Sequence, residues 1–188
     1  MKRIAIHSAP RSGSSWLGQI LNSSSKVCFR FQPLFSYAFK DYLNDKSSRE
    51  DVVGFFEKIA KSSDDFLLQK DKIENGEYPS FTKDDEFTHI VYKEVRYHNI
   101  IKNMLTKDKE LVVIGLIRNP FAVVNSFLNS PREFRKDLGW KEIEEWKKLC
   151  PIINFENLIN NKTYINKNEI VNKISKKISS TFLMAKKS

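Results

Sequence analysis

The sequence is poor in the residues that mark several common protein classes. Its 188 residues include two cysteines, Cys28 and Cys150, which form no CxxC pair and no metal-ligand spacing, so we expect free thiols and no metal. No apolar stretch approaches the roughly 18 residues that a membrane-spanning helix needs. The apolar run Ile4–Ile6 is also too short for a secretory signal. We therefore expect a cytoplasmic, bacterial protein without a membrane span.

Acidic residues are also in the minority, since 32 Lys and Arg stand against 23 Asp and Glu and give a formal net charge of +9. This charge favours an anionic partner, which could be nucleic acid, a membrane surface or a nucleotide. No segment interleaves clustered basic residues with aromatics in a recognisable nucleic-acid-binding pattern, so we expect no nucleic acid as partner. A nucleic-acid-binding module stays open as an alternative to an enzyme.

The order of predicted elements indicates an α/β fold. A short strand at Arg3–Ser8 is followed by a small-residue turn and by helical spacing from Trp16 to Leu21. The run Leu111–Ile117 is apolar on both faces, which predicts a central, parallel strand covered by helices. With no repeat, linker or domain boundary in sight, we predict one domain over residues 1–188, with a central parallel sheet flanked by helices in three layers.

Further elements follow from local patterns. Ser47 with Glu50 fits a capping box before a helix, Lys70–Glu86 is polar enough for a surface loop, and His89–Tyr97 is a candidate strand. The remaining predictions are a helix at Ile100–Leu105, a helix from Asn119-Pro120 to about Asn129, a helix at Trp140–Leu149, a strand at Ile152–Phe155 and a basic helix at Lys167–Ile178.

The turn after the first strand has the composition of an anion-binding loop. Gly13 and the neighbouring serines allow the backbone to fold tightly around an anion, with N–H groups pointing inward. A helix that begins near Ser14 adds its positive N-terminal dipole, Arg11 adds a forked cation, and Ser14 and Ser15 add hydroxyl donors. The loop therefore favours a bound phosphate or sulfate, although an ordinary capped helix would share part of the pattern.

This loop differs from the magnesium-dependent Walker A pattern. No lysine follows Gly13, and the cation Arg11 precedes the glycine instead. The strand Leu111–Ile117 ends in Arg118, where a metal-dependent nucleotide hydrolase favours an aspartate. An arginine there puts positive charge at the carboxyl ends of the strands, where open α/β sheets bind ligands, and Ser126 follows eight residues later. A kinase or other NTP-binding protein remains an alternative.

Three segments, in order, resemble those of sulfotransferases that use 3′-phosphoadenosine 5′-phosphosulfate (PAPS). Ala9 to Leu17 is similar to the 5′-phosphosulfate loop, in the style of the carbohydrate branch, and Arg118 to Ser126 is similar to the 3′-phosphate segment. Ile153 to Leu158 resembles a third segment, often written Tyr-Glu-Asp-Leu. The chain is short for this family, and Asn119 stands where an aspartate is frequent.

The resemblance implies a P-loop-type fold and transfer of a sulfuryl group from PAPS to a hydroxyl or amine acceptor, with a carbohydrate as one candidate, and without a metal. Arg11 would stabilise the charge that develops as PAP leaves. Arg118 and Ser126 would hold the 3′-phosphate. The residues that would bind the 5′-phosphosulfate are Arg11, Ser12, Gly13, Ser14, Ser15 and Trp16.

The general base is the open position of this assignment. The family often has a glutamate in the segment that corresponds to Phe29–Leu34, but Gln32 stands there and cannot accept a proton at neutral pH. Glu94, His7 and His98 are the candidate replacements, of which we favour Glu94. Two further alternatives stay open: Gln32 only orients an acceptor that needs little deprotonation, or the chain binds PAP with little transfer activity.

Overall fold

The computed structural model describes residues 1–119, 122–123, 125–126 and 129–130. The chain divides into two units, residues 1–117 and 118–188. In the part of the chain that the structure describes, no helix is long and apolar enough to span a membrane. The predictions that lie outside the described residues are those for Cys150, the helices at 140–149 and 167–178, the strand at 152–155 and the third segment at 153–158.

The first unit is built on a parallel sheet. Its four strands are β1 (Lys2–Ser8), β2 (Val27–Phe31), β3 (His89–Glu94) and β4 (Val112–Leu116), in the order β2-β3-β1-β4. Every pairing is parallel, and the register sets His7 of β1 opposite Glu94 of β3. Because the strands are parallel, their carboxyl ends all meet at one edge, which we call the carboxyl edge.

Five α-helices and two short 3₁₀ helices connect these strands. The α-helices are α1 (Ser14–Asn22), α2 (Arg49–Lys61), α3 (Asp65–Leu68), α4 (Lys70–Glu74) and α5 (Ile101–Lys107). The 3₁₀ helices are Pro33–Phe35, which follows β2, and His98–Ile100, which precedes α5. This count refers to the described residues.

Helix α1 covers one face of the sheet. Side chains alternate between the two faces along a strand, and Ile6, Phe29 and Val91 point to the face on which Leu17 and Leu21 of α1 pack. The helix lies so close that a Cβ built on Gly18 would come within 2.5 Å of the Phe29 ring. A glycine at this point in the helix therefore allows the close packing of helix and sheet.

Helices α2 and α5 cover the other face, where the larger core lies. Phe55 and Phe56 of α2 pack with Tyr92 of β3, and their ring centroids lie 5.4–5.7 Å apart. The buried guanidinium of Arg30 fixes the end of α2 by donating to the carbonyl oxygens of Ile59 (2.7 Å) and Ala60 (2.6 Å). Helices on both faces of a parallel sheet confirm the predicted α/β class.

The position of β4 differs from the sequence prediction within the described sheet. The apolar run Leu111–Ile117 predicts a central strand, but among the described strands β4 lies at one end of the sheet and pairs only with β1. Val112 is 51% exposed, and Ile117 is 67% exposed. The apolar run predicts the strand itself, whereas its position in the sheet depends on which strands pair with it.

The cap of α2 corrects a second prediction by one residue. Ser48 and Asp51 form the capping box, and each side chain accepts the backbone N–H of the other residue, at 3.1 and 2.8 Å. Ser47 instead accepts the backbone N–H of Asn44 at 3.0 Å, so its hydroxyl closes the preceding turn. Two adjacent serines, each with an acid three residues later, make the sequence signal ambiguous.

The predicted loop at Lys70–Glu86 begins with helix α4 and then continues without regular structure to its end. Lys83 anchors it to the end of α1, where its Nζ donates to the carbonyl oxygens of Asn22, of Ser24 at 3.0 Å and of Val27 at 3.1 Å. The strand predicted at His89–Tyr97 ends at Glu94.

Candidate functional site

The loop between β1 and α1 has an unusual backbone. Arg11 and Gly13 both adopt the left-handed conformation, with φ of 63° and 92°. Gly13 precedes α1 and offers no side chain to cap it, while its carbonyl oxygen accepts the N–H of Leu17 at 3.0 Å. No side chain of the N-cap residue bonds the first N–H groups of this nine-residue helix, and its positive end is the kind of position where proteins bind anions.

Two buried hydroxyl groups lie in and beside this loop. Ser8 is fully buried and Ser12 is 7% exposed, and neither Oγ has a hydrogen-bond partner within the described residues. A buried polar atom without a partner costs about 1–3 kcal/mol, so two of them in one loop call for an explanation. An anion in the loop would supply acceptors for both. The sequence analysis missed Ser8, although its place as the last residue of a strand before the loop was a usable signal.

The other predicted loop residues differ in exposure. Ser14 is buried at the start of α1, Ser15 is half-buried, and Arg11 is exposed. Trp16 is 72% exposed, so its indole is accessible to a ligand.

Glu94 lies at the carboxyl edge, at the end of β3. Its Oε1 accepts the backbone N–H of Val95 at 3.0 Å, whereas its Oε2 is buried without a partner in the described part of the chain. Burial raises the pKa of Glu94 to about 7, against the opposing effects of the Val95 N–H, Lys93 and Arg96. A carboxyl group with such a pKa can accept and release a proton at neutral pH, as a general base must.

Two histidines and a tyrosine form a chain of hydrogen bonds behind Glu94. The Nδ1 atoms of His7 and His98 lie 3.1 Å apart, and the Nε2 of His7 lies 3.1 Å from the Tyr92 hydroxyl oxygen. The Tyr92 hydroxyl donates to the sulfur of Met104 at 3.5 Å. One hydrogen between the two Nδ1 atoms satisfies both rings when they are neutral.

Burial, together with the nearby His98, lowers the pKa of His7 to about 3, and burial also lowers the pKa of His98. Both nitrogens of His7 are engaged and its ring is fully buried. The geometry therefore favours Glu94 over His7 as the proton acceptor of the site.

Lys93 is a further charged residue at this edge, and the sequence analysis did not single it out. Successive residues of a strand point to opposite faces, and Lys93 forms no ion pair with Glu94 in the described structure. Its Nζ lies 4.3 Å from the centroid of the Phe31 ring, and burial lowers the pKa of Lys93 to about 8. Its position one residue before Glu94 on an apolar strand was the available signal.

Gln32 stands at the same edge as Glu94. Its backbone N–H donates to the carbonyl oxygen of Lys93 at 2.9 Å, and its left-handed φ of 41° turns the chain into the 3₁₀ helix Pro33–Phe35. The structure thus brings Gln32 and the candidate base Glu94 to the ends of adjacent strands.

The residues of the predicted 3′-phosphate segment belong to the second unit. Of the predicted helix after Asn119, residues 122–123 and 125–126 are helical, and the Val123 N–H donates to the Asn119 carbonyl oxygen at 3.0 Å. Ser126 is therefore on a helical segment and Arg118 precedes it. Their part in binding a 3′-phosphate stays a prediction.

Among the described residues, no group of three or more His, Cys, Asp and Glu side chains could hold a metal ion. The candidate site consists of the loop after β1, the buried carboxyl group of Glu94 at the end of β3 and the buried Lys93 that precedes it. Comparison with protein-family models, with curated proteins and with solved structures finds no match for this chain.

Proposed function

We propose that this protein is a sulfotransferase that moves a sulfuryl group from PAPS to a hydroxyl or amine acceptor. The observation that carries the proposal is the pair of buried hydroxyls of Ser8 and Ser12, which have no hydrogen-bond partner among the described residues, next to a helix start that its N-cap residue does not cap with a side chain. Together these groups make a set of donors that a phosphate or sulfate would satisfy. The resemblance of the loop to the 5′-phosphosulfate segment selects PAPS among such ligands.

The loop residues would bind the phosphosulfate group by charge and hydrogen bonds. Arg11 is exposed at the loop and supplies a permanent cation, and the N–H groups at the start of α1 supply oriented dipoles. Arg118 and Ser126 would bind the 3′-phosphate. The exposed indole of Trp16 offers a flat apolar surface for the nucleotide.

The transfer itself needs a proton acceptor and stabilisation of negative charge. The acceptor oxygen attacks the sulfur, a new S–O bond forms, and the bond from sulfur to the bridging phosphate oxygen breaks, releasing PAP. The proton of the acceptor passes to Oε2 of Glu94, the carboxylate oxygen without a partner among the described residues. Arg11 and the loop N–H groups stabilise the charge that develops on the leaving phosphate.

Titration of PAP into the protein by calorimetry tests the nucleotide, with ATP plus magnesium as competitor. We expect PAP to bind and ATP to compete poorly. Ser12→Ala should weaken the binding of PAP about tenfold or more, because a hydrogen bond to a charged group is lost. Arg118→Ala should weaken the binding of PAP more than Ser12→Ala does. Ser25→Ala, which lies outside the loop, is the matched control.

Each result has a distinct meaning. A folded protein that binds no PAP refutes the proposal, and preference for ATP with magnesium indicates a kinase or another NTP-binding protein. PAP binding without sulfuryl transfer to any acceptor would contradict the transfer activity and indicate a protein that only binds PAP.

A further inference from the structure

Three backbone carbonyl oxygens converge on one ammonium group where helix α1 leads into strand β2. They belong to Asn22, which ends α1, to Ser24 in the turn that follows, and to Val27, which begins β2. The Nζ atom of Lys83 donates to all three, at 3.0 Å to the oxygen of Ser24 and at 3.1 Å to that of Val27. An ammonium group has three N–H donors and no acceptor, so the three oxygens match it one for one. We call these oxygens the carbonyl site.

Backbone dipoles, and not a carboxylate, balance the charge of Lys83 at this site. Within the described residues, none of the ion pairs includes Lys83. The last carbonyl groups of a helix have no partner inside the helix and lie at the negative end of its dipole, and the oxygen of Asn22 is one of them. Groups of backbone carbonyl oxygens also bind free monovalent cations in proteins. The carbonyl site therefore has the composition of a cation site.

The distances at the carbonyl site favour one kind of cation. Values of 3.0 and 3.1 Å lie in the range of about 2.7–3.2 Å for an N–H···O hydrogen bond. Ca²⁺ and Mg²⁺ instead take oxygens at about 2.0–2.6 Å and usually bind carboxylates. Burial lowers the pKa of Lys83, because the amine is partly withdrawn from water. The geometry thus suits a singly charged ion that donates hydrogen bonds.

The carbonyl site also joins two segments that are distant in the sequence. The residues after Lys83 continue along the turn between α1 and β2, where the N–H of Asp84 donates to the oxygen of Ser25 at 3.1 Å. The N–H of Thr88 donates to the oxygen of Lys26 at 3.0 Å. A cation in the carbonyl site therefore holds the connection that precedes β3 against this turn.

We propose that the carbonyl site is a binding site for a monovalent cation of the ammonium class, and that the chain fills it with its own Lys83. This inference goes beyond the proposed function and does not depend on it. The stem of Lys83 holds the charge in place, so the wild type needs no free ion. Without this amine, the site takes up a free ammonium or methylammonium ion. A cation here also complements the dipole of α1 at the end opposite to the anion-binding loop.

Urea unfolding of Lys83→Ala with and without added cations tests this proposal. We expect the variant to be less stable than the wild type. Ammonium or methylammonium chloride should lower its unfolding equilibrium constant by about three- to tenfold relative to tetramethylammonium chloride at equal concentration. Tetramethylammonium has the same charge but no N–H donor, and the wild type should not distinguish the salts. The matched control is Lys72→Ala on α4, whose ammonium group pairs with the carboxylate of Glu77 and which should show no such recovery.

Hydrogen exchange locates the effect in the chain. The amides of Asp84 and Thr88 should exchange faster in Lys83→Ala and regain protection when ammonium is added. Full stability of Lys83→Ala without a cation would overturn the inference, as would equal recovery in ammonium and tetramethylammonium or an equal response of the wild type. If Lys83→Ala does not fold, Lys83→Met gives the same test, because it keeps the apolar stem and removes only the amine.

Discussion

Replacing Glu94 by glutamine should make the protein more stable and less active. Glutamine has the shape of the protonated glutamic acid and can still accept the N–H of Val95 with its amide oxygen. It removes only the charge that the buried site disfavours. A catalytic group held in an unfavourable state is expected to show this opposition between stability and activity.

The magnitude follows from the pKa of Glu94, which burial raises from 4.5 to about 7. This difference corresponds to about 3 kcal/mol between the ionised and the protonated carboxyl group in the folded protein. The folded state binds the proton more tightly than the unfolded state. Ionisation of Glu94 therefore lowers the free energy of unfolding of the wild type progressively as the pH rises from 4.5 to 7, and the full loss persists above pH 7.

The Gln variant lacks this loss, so the stability difference should change with pH. We expect Glu94→Gln to exceed the wild type by up to about 3 kcal/mol at pH 8 and by less than about 1 kcal/mol at pH 5. His7, whose pKa burial lowers to about 3, opposes this trend by losing stability as the pH falls below 6.5. Its contribution is common to both proteins and cancels in their difference.

Urea unfolding at pH 5, 6, 7 and 8 measures this difference, and Glu57→Gln, at an exposed position of α2, is the matched control. In parallel, sulfuryl transfer should fall about a hundredfold or more while PAP affinity stays within twofold. A stability difference that does not vary with pH would refute the reasoning about the buried carboxyl group. Unchanged transfer by a folded Glu94→Gln protein would exclude Glu94 as the base.

Four further substitutions test the packing and the loop. Gly18→Ala should lower the free energy of unfolding by about 1–3 kcal/mol, because the new methyl group meets the Phe29 ring. Gly54→Ala should raise it by about 0.5–1 kcal/mol, because a methyl group at this position of α2 meets no other atom. Urea unfolding of both variants measures these changes. Arg30→Met should cost about 3 kcal/mol in the same assay, since several carbonyl oxygens lose their charged donor. Ser12→Ala should leave stability unchanged or raise it by about 1 kcal/mol, since it removes an unpartnered buried hydroxyl; a marked loss would contradict a ligand-binding role.

Local sequence signals predicted the first strand, the loop and the first helix well. Alternating β-branched residues define β1, and the small residues that end it define the turn into α1. The left-handed conformation of Gly13 agrees with its predicted freedom, but nothing in the sequence indicated that Arg11 adopts the same conformation. Strand order could not be read in the same way, because the end position of β4 in the described sheet depends on pairing between distant segments.

The candidate site was predictable in its residues but not in their environment. Glu94 lies between Lys93 and Val95, with Arg96 close by, and such a charged run usually indicates an exposed segment with ion pairs. The structure buries both Lys93 and Glu94 on opposite faces of β3 and separates their charges. Nothing in the sequence indicates this burial, which raises the pKa of Glu94 and lowers that of Lys93.

Most of the buried side-chain atoms that lack a hydrogen-bond partner among the described residues lie near the candidate site. Among the described residues, the buried side-chain oxygens without a partner are those of Ser8, Ser12, Gln69 and Glu94. Three of the four lie at the carboxyl edge or in the loop that leaves it, whereas Arg30, on the strand β2 of the same sheet, donates to several carbonyl oxygens. Unpaired groups destabilise a fold wherever they occur, so their concentration where two parallel strands end is best explained by a ligand that pairs with them there.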